Sequence, residues 1–166
     1  MRTIVVTTAA ALWGCVHAAP LEFADGCYVR PEPALLAASG ASGTTQSYLG
    51  LRRKSAQLVE VNVSVAGANG AVCNVAGIAK VRGNPGAEYL SLVVRPEGGL
   101  QRNSVDLLCQ LRIHGTPTAV ELATTESACQ AQSLCGGMVQ LNGQRFELSR
   151  RLPAGSTTPC FASPGP

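Results

Sequence analysis

The residues of this chain best suited to chemistry are its cysteines. Two of them, Cys129 and Cys135, enclose the segment QAQSL and precede a Gly-Gly and an Asn-Gly. A redox pair favours the C-x-x-C spacing, and structural zinc favours close cysteine pairs with further ligands nearby. Neither pattern occurs here. We therefore expect covalent crosslinks and no metal or redox centre.

The chain has seven cysteines, and six remain when Cys15 in the N-terminal leader is set aside: Cys27, Cys73, Cys109, Cys129, Cys135 and Cys160. An even number in an exported chain predicts disulfides. Six cysteines allow about fifteen pairings, so spacing leaves the connectivity open. The interpretation that spacing favours joins Cys129 to Cys135, Cys73 to Cys109, and Cys27 to Cys160.

The other reactive side chains do not form a recognisable catalytic set. A serine nucleophile needs a base, and His114 in RIHGTP is expected at a turn, with no G-x-S-x-G motif in the chain. The ten acidic residues are scattered, so no two are predicted to share a cleft. The glycine-rich segments lack the helix and lysine of a phosphate-binding loop. We expect a non-enzymatic protein without a cofactor.

The N-terminal segment MRTIVVTTAAALWGCVHAAP predicts export. Arg2 precedes an apolar run too short to span a bilayer, and small residues follow, so we assign residues 1–18 to a signal peptide. Leu12-Trp13-Gly14-Cys15 supports a second interpretation, a lipoprotein signal over residues 1–14 with Cys15 lipidated. An ordinary buried N-terminal helix is a third. The export routes predict a periplasmic or secreted protein, or an outer-membrane lipoprotein.

The remaining chain is long enough for one domain, predicted over residues 21–152, with an irregular tail at 153–166 held by Cys160. Without Arg2, twelve basic residues stand against ten acidic residues. This weak excess does not predict nucleic-acid binding, and a membrane is expected only if Cys15 is lipidated. Two basic clusters, LRRK at 51–54 and SRR at 149–151, are expected at solvated strand ends. Their convergence in space would favour an anionic partner.

Alternating apolar residues predict strands, and no long helix is predicted. SAQLVEVNVSV places Val59, Val61, Val63 and Val65 on one face. Asn69-Gly70 predicts a hairpin turn, and Asn142-Gly143 predicts a second hairpin with Val139 opposite Phe146. Frequent turn signals between short strands predict an all-β fold. We expect a single antiparallel β-barrel, or a sandwich, of about eight or nine strands stapled by disulfides.

The segments AVCNVAGIA, LLCQLRI, CGG and LNGQRF together resemble a type of small exported bacterial domain. In that type, two cysteine-bearing strands and a C-x(n)-C-G segment lead into a G-x-x-F/Y hairpin, and the match covers residues 58–148. The resemblance implies a β-barrel similar in architecture to bacterial lysozyme inhibitors. Cys27 and Cys160 are additions to the pattern.

A rigid stapled barrel usually carries its function in loops. Three loops are candidates, at residues 81–88, 95–104 and 114–117, and their candidate contact residues are Arg82, Asn84, Arg95, Glu97, Arg102 and His114. We expect an exported binding module of the bacterial envelope that recognises a protein partner. The resemblance makes a lysozyme or related peptidoglycan hydrolase one such partner, although the slightly basic charge disfavours strongly basic lysozymes. The alternative is a structural envelope lipoprotein without a loop-mediated target.

Overall fold

The computed structural model describes residues 25–35, 42–67, 70–94, 109–125, 129, 135, 139–153, 155–156 and 159–161. The predicted signal, Cys15 and most of the tail lie outside these residues. In the described part of the chain, no helix has the length and apolar character needed to cross a membrane.

The described strands form one antiparallel sheet in which each strand pairs with the next along the chain. They are β1 (Gly26–Leu35), β2 (Ser42–Arg53), β3 (Leu58–Ala66), β4 (Val72–Arg82), β5 (Tyr89–Val94), β6 (Cys109–Gly115), β7 (Ala119–Thr124) and β8 (Arg145–Glu147), followed by a 3₁₀ turn at Leu148–Arg150. The sheet curls until its ends meet. There Tyr28 forms an antiparallel β-bridge with Arg151, and the Leu152 amide donates a hydrogen bond to the Cys27 carbonyl at 2.8 Å. This nearly closed barrel confirms the predicted fold class.

The barrel interior is filled by the apolar faces that alternate along the strands. Val59, Val61, Val63 and Val65 are at most 1% exposed, as the period-two pattern predicts. The core is completed by aliphatic residues of β2, β4, β5, β6 and β7, by Val139 and Leu141, and by the rings of Tyr28 and Phe146. Because this packing leaves the outer face of the sheet to solvent, polar residues at alternate positions become available for binding.

The two predicted hairpins have different outcomes. The β3–β4 hairpin is confirmed, with Gly70 at φ 81° in its turn. The Asn142-Gly143 turn also forms, but the second hairpin is wrong, because Phe146 lies opposite Val120 of β7 and not opposite Val139. Val139 and Leu141 are both buried in the barrel core with Gln140 exposed between them, but residues 139–141 form no strand.

Successive connections alternate between the two ends of the barrel because the strands alternate in direction. We call one end the turn end; it carries the turns at residues 54–57, 83–88 and 116–118. The other end, the loop end, receives the connections after β1, β3, β5 and β7.

Three disulfides are present, Cys27–Cys160, Cys73–Cys135 and Cys109–Cys129, with Cα–Cα distances of 5.6, 4.9 and 4.6 Å. The Cys27–Cys160 prediction is confirmed, whereas pairing Cys73 with Cys109 and Cys129 with Cys135 is wrong. Strand β5 separates β4 from β6, so Cys73 and Cys109 are about 10 Å apart or more, beyond disulfide reach. The β7–β8 connection is instead attached separately to β6 and to β4. Three disulfides indicate an oxidising, non-cytoplasmic compartment.

The segment at residues 159–161 packs on the outer face of β1–β3. Cys27, Gly50 and Asn62 lie in register there, and the Asn62 side-chain amide donates to the Cys160 carbonyl at 2.6 Å. A Cβ atom at Gly50 would lie only 2.7 Å from the Cys160 Cβ. Glycine is therefore required at this position so that the segment can approach the sheet.

Candidate functional site

Two of the three predicted binding loops adjoin at the turn end. Arg82 and Asn84 are exposed at the β4–β5 turn, and half-buried His114 precedes the β6–β7 turn. The third loop, with Arg95, Glu97 and Arg102, lies outside the described residues. The strand ends that flank it, at Val94 and Cys109, belong to the loop end. The strand ends that flank the three loops therefore do not share one end of the barrel.

The β4–β5 turn depends on a glycine with a left-handed backbone. Gly83 has φ 98°, and a Cβ atom there would lie 2.3 Å from the Ala87 carbonyl oxygen. The Ala87 amide donates to the Asn84 carbonyl at 2.8 Å, which closes the turn. This tight geometry fixes the ends of β4 and β5 and so places Arg82 opposite Tyr89.

An aromatic pair occupies the outer face between the two turns. The rings of Tyr89 and His114 stack with a centroid distance of 5.4 Å and an interplanar angle of 29°. The guanidinium of Arg112, two residues before His114 on β6, lies 5.5 Å from the Tyr89 ring centroid. These contacts hold three side chains in defined positions on the exposed sheet.

Three exposed cations surround this pair: Lys80, Arg82 and Arg112. Within the described residues, none of them has a carboxylate within 4.0 Å, since the ion pairs found involve other basic side chains. We call the five residues Lys80, Arg82, Tyr89, Arg112 and His114 the basic strip. The strip presents unneutralised positive charge around an aromatic centre.

Apolar side chains extend the basic strip along the same outer face. Ile78 lies two residues before Lys80 on β4, and Val93 lies two residues after Ser91 on β5. Their side chains are 49% and 46% exposed. The Gln110 side-chain amide donates to the Ser91 hydroxyl at 2.7 Å and satisfies that buried group. The outer face of β4–β6 is therefore apolar towards the loop end and basic towards the turn end.

A second site is a cavity of about 330 Å³ at the turn end, between β1–β2 and the chain after β8. Its lining residues are Asp25, Gly26, Leu51, Arg52, Arg151, Leu152, Pro153, Gly155, Ser156 and Phe161. Arg52 belongs to the predicted LRRK cluster and Arg151 to the SRR cluster. The two basic clusters therefore converge, a juxtaposition that sequence alone left open.

Charge around this cavity is only partly neutralised. Glu60 accepts from Arg52 Nε and from Lys54 Nζ, both at 2.8 Å. The hydrogen bond from Lys54 lowers the pKa of Glu60, with a smaller contribution from Arg52, and partial burial opposes both. The Asp25 carboxylate accepts from the Arg53 backbone amide at 2.9 Å. Arg151 has no ion pair with any described residue.

The barrel seam contains a cluster of hydrogen-bonded polar and charged side chains that was not predicted from the sequence. Arg30 of β1 crosses to β8, donating to the Arg145 carbonyl at 2.7 Å and to the Gln144 side chain, with its guanidinium 5.2 Å from the Phe146 ring centroid. It also pairs with Glu32, which accepts from the buried Ser47 hydroxyl at 2.8 Å. Each member of this network has a partner among the described residues, and the network joins β1 to the chain at β8.

Potential metal ligands and partners of His114 are few among the described residues. No group of three or more His, Cys, Asp or Glu side chains among them could hold a metal ion. His114 stacks on Tyr89, and in the described part of the chain it has no hydrogen bond to a hydroxyl or a carboxylate. Searches of family models, curated proteins and solved structures found no match to this chain.

Proposed function

We propose that this protein is a non-enzymatic binding module of the bacterial envelope, periplasmic or secreted, that holds an acidic protein partner on the basic strip. The observation that carries the proposal is the set of three cations around the Tyr89–His114 stack that have no carboxylate partner among the described residues. The three disulfides, which indicate an oxidising compartment, support an exported location.

The composition of the surface supports a protein partner. Tyrosine and arginine are the side chains that most often dominate binding energy at interfaces. Stacking already orders Tyr89 and Arg112, so less side-chain entropy is lost when a partner binds. The exposed Ile78 and Val93 add apolar area next to the charges, the combination found in protein interfaces.

A peptidoglycan hydrolase of the lysozyme type is the sharpest form of this proposal. In that form, the turn at residues 83–88 enters the hydrolase cleft while the basic strip contacts acidic side chains at its rim. The positive charge of the strip favours an acidic hydrolase and repels a strongly basic one. A structural envelope lipoprotein, the alternative function, would use neither surface.

The test combines inhibition with mapped crosslinking. The oxidised protein is titrated against chicken-, goose- and invertebrate-type lysozymes while cell-wall lysis is recorded, and a photocrosslinking amino acid at Val93 captures partners from envelope extract. We expect the Arg82→Glu/Arg112→Glu variant to lose at least about tenfold in affinity, because two attractive contacts become repulsive.

The matched control is Arg53→Glu/Arg150→Glu, which changes net charge equally at exposed arginines outside the strip. It should stay within about threefold of the wild type. Equal losses in the two variants would assign the effect to net charge and contradict the proposal. A partner that crosslinks as well from Pro33, on the other side of the barrel, would also contradict it.

A further inference from the structure

The cavity at the turn end combines two arginines with an apolar wall. Arg52 and Arg151 reach it from β2 and from the chain after β8, and Leu152, Pro153 and Phe161 supply apolar surface. A volume of about 330 Å³ suits a small molecule or the terminal group of a larger one. It lies apart from the basic strip, with β3 between them on one side and β7 and β8 on the other.

Arg151 is held in place without being neutralised. Its side chain crosses the backbone of β1 at Gly26, where a Cβ atom would lie 2.5 Å from Arg151 Nε. Its backbone is fixed by the bridge to Tyr28 and by its amide, which donates to the Leu148 carbonyl at 3.2 Å. The guanidinium has no carboxylate partner among the described residues. A positioned, unpaired guanidinium at a cavity wall is suited to an anion.

Arg52 is oriented by two other contacts. Its Nε and Nη2 atoms contact Glu60 at 2.8 and 2.7 Å, and its guanidinium carbon lies 4.5 Å from the Phe161 ring centroid. Nη1 has no hydrogen bond within the described part of the chain. Asp25, the acidic residue among the described lining residues, accepts a hydrogen bond from the Arg53 amide. The described lining therefore carries two positive charges against one negative charge.

We propose that this cavity binds a small organic anion, whose carboxylate or phosphate group lies between Arg52 and Arg151 and whose apolar part lies against Phe161 and Leu152. Planar guanidinium groups match both kinds of anion through paired hydrogen bonds. The apolar wall distinguishes such a ligand from an inorganic ion. This inference does not depend on the proposed protein partner.

The test is a titration of the full oxidised protein, followed by amide NMR, with benzoate, phenyl phosphate, benzyl alcohol and inorganic phosphate. We expect saturable shifts at the Gly26, Gly155 and Ser156 amides with benzoate or phenyl phosphate. Binding of benzyl alcohol and of inorganic phosphate should be at least about tenfold weaker, because each lacks one of the two features. The tighter of the two aromatic anions identifies the carboxylate or the phosphate as the preferred group.

Three variants separate geometry from charge. Arg151→Gln should weaken binding at least about tenfold, whereas Arg150→Gln, at an exposed neighbour outside the cavity, should stay within about twofold. Gly26→Ala keeps every charge but displaces the Arg151 side chain, so it should also weaken binding several-fold. Saturable binding that is equal in Arg150→Gln and Arg151→Gln, equal affinity for benzyl alcohol, or no saturable shift with any probe would overturn the inference.

Discussion

Folding changes the ionisation of Tyr28. It is 1% exposed in the barrel core, and burial raises its pKa above the ordinary value of 10.0 because the phenolate loses its hydration. Arg151 opposes this shift and Asp25 adds to it. The native state therefore retains the phenol proton at a pH where the unfolded chain releases it.

Stability is expected to fall at alkaline pH for this reason. Below about pH 10 both states keep the proton, so Tyr28 does not make the free energy of unfolding depend on pH. As the pH rises from there through the folded pKa, the unfolded state holds fewer protons than the native state, so the free energy of unfolding falls. Urea unfolding of the wild type should thus show a decline in stability above about pH 10 that is reduced in Tyr28→Phe. In the same variant, the absorbance titration of the tyrosine phenols should lose the component that ionises at the highest pH. An unchanged slope in Tyr28→Phe would show that other groups cause the decline.

At the scale of the elements, β8 has only three residues, yet it must close the barrel against β1. Arg30 contributes to this closure through its bonds to the Arg145 carbonyl and to Gln144, and it is paired with Glu32 of its own strand. Its side chain is 28% exposed, and that of Glu32 is 19% exposed. Arg145 makes comparable contacts to Glu121 and Glu147, but on the exposed outer surface.

This difference predicts unequal effects for two substitutions of the same kind. Arg30→Met should lower the free energy of unfolding by about 2–3 kcal/mol, because charged hydrogen bonds are lost and Glu32 is left half-buried without its cation. Arg145→Met should cost less than about 1 kcal/mol, since exposed ion pairs contribute little. Urea unfolding at neutral pH measures both. Equal losses would mean that Arg30 stabilises the seam no more than an exposed ion pair does.

At the scale of the whole molecule, the disulfides constrain the chain to very different extents. Cys27 and Cys160 are separated by 133 residues, whereas Cys109 and Cys129 are separated by 20. By the loop-entropy model, removing the first crosslink costs about 5 kcal/mol and removing the second about 3 kcal/mol, both upper values. We expect Cys27→Ala/Cys160→Ala to be the more destabilised double variant in denaturant unfolding.

Non-reducing peptide mapping supplies the control by identifying the remaining crosslinks in each variant. A larger loss in Cys109→Ala/Cys129→Ala would contradict the entropic ranking. It would indicate that packing of the β7–β8 connection, which buries Val139 and Leu141, outweighs loop closure.

Local pattern was sufficient to predict the strands and several turns. The period-two alternation of residues 58–66 has its origin in the pleat itself, so the buried valines follow from sequence alone. Gly70 and Gly143 lie in the turns where positive φ was expected, because this preference is a property of the single residue. The even number of cysteines likewise predicts crosslinking without their partners.

Partners distant in sequence were decided by the tertiary structure. Which cysteine meets Cys73 and whether Arg52 approaches Arg151 both depend on contacts between segments distant in sequence, and the second also depends on how far the sheet curls before its ends meet. Alternation determines which face of a strand is buried, but it contains no information on that closure. The sequence by itself therefore determined the strands and their faces, whereas the tertiary structure decided the disulfide pairing, the basic strip and the arginine-lined cavity, because each brings together residues that are distant in sequence.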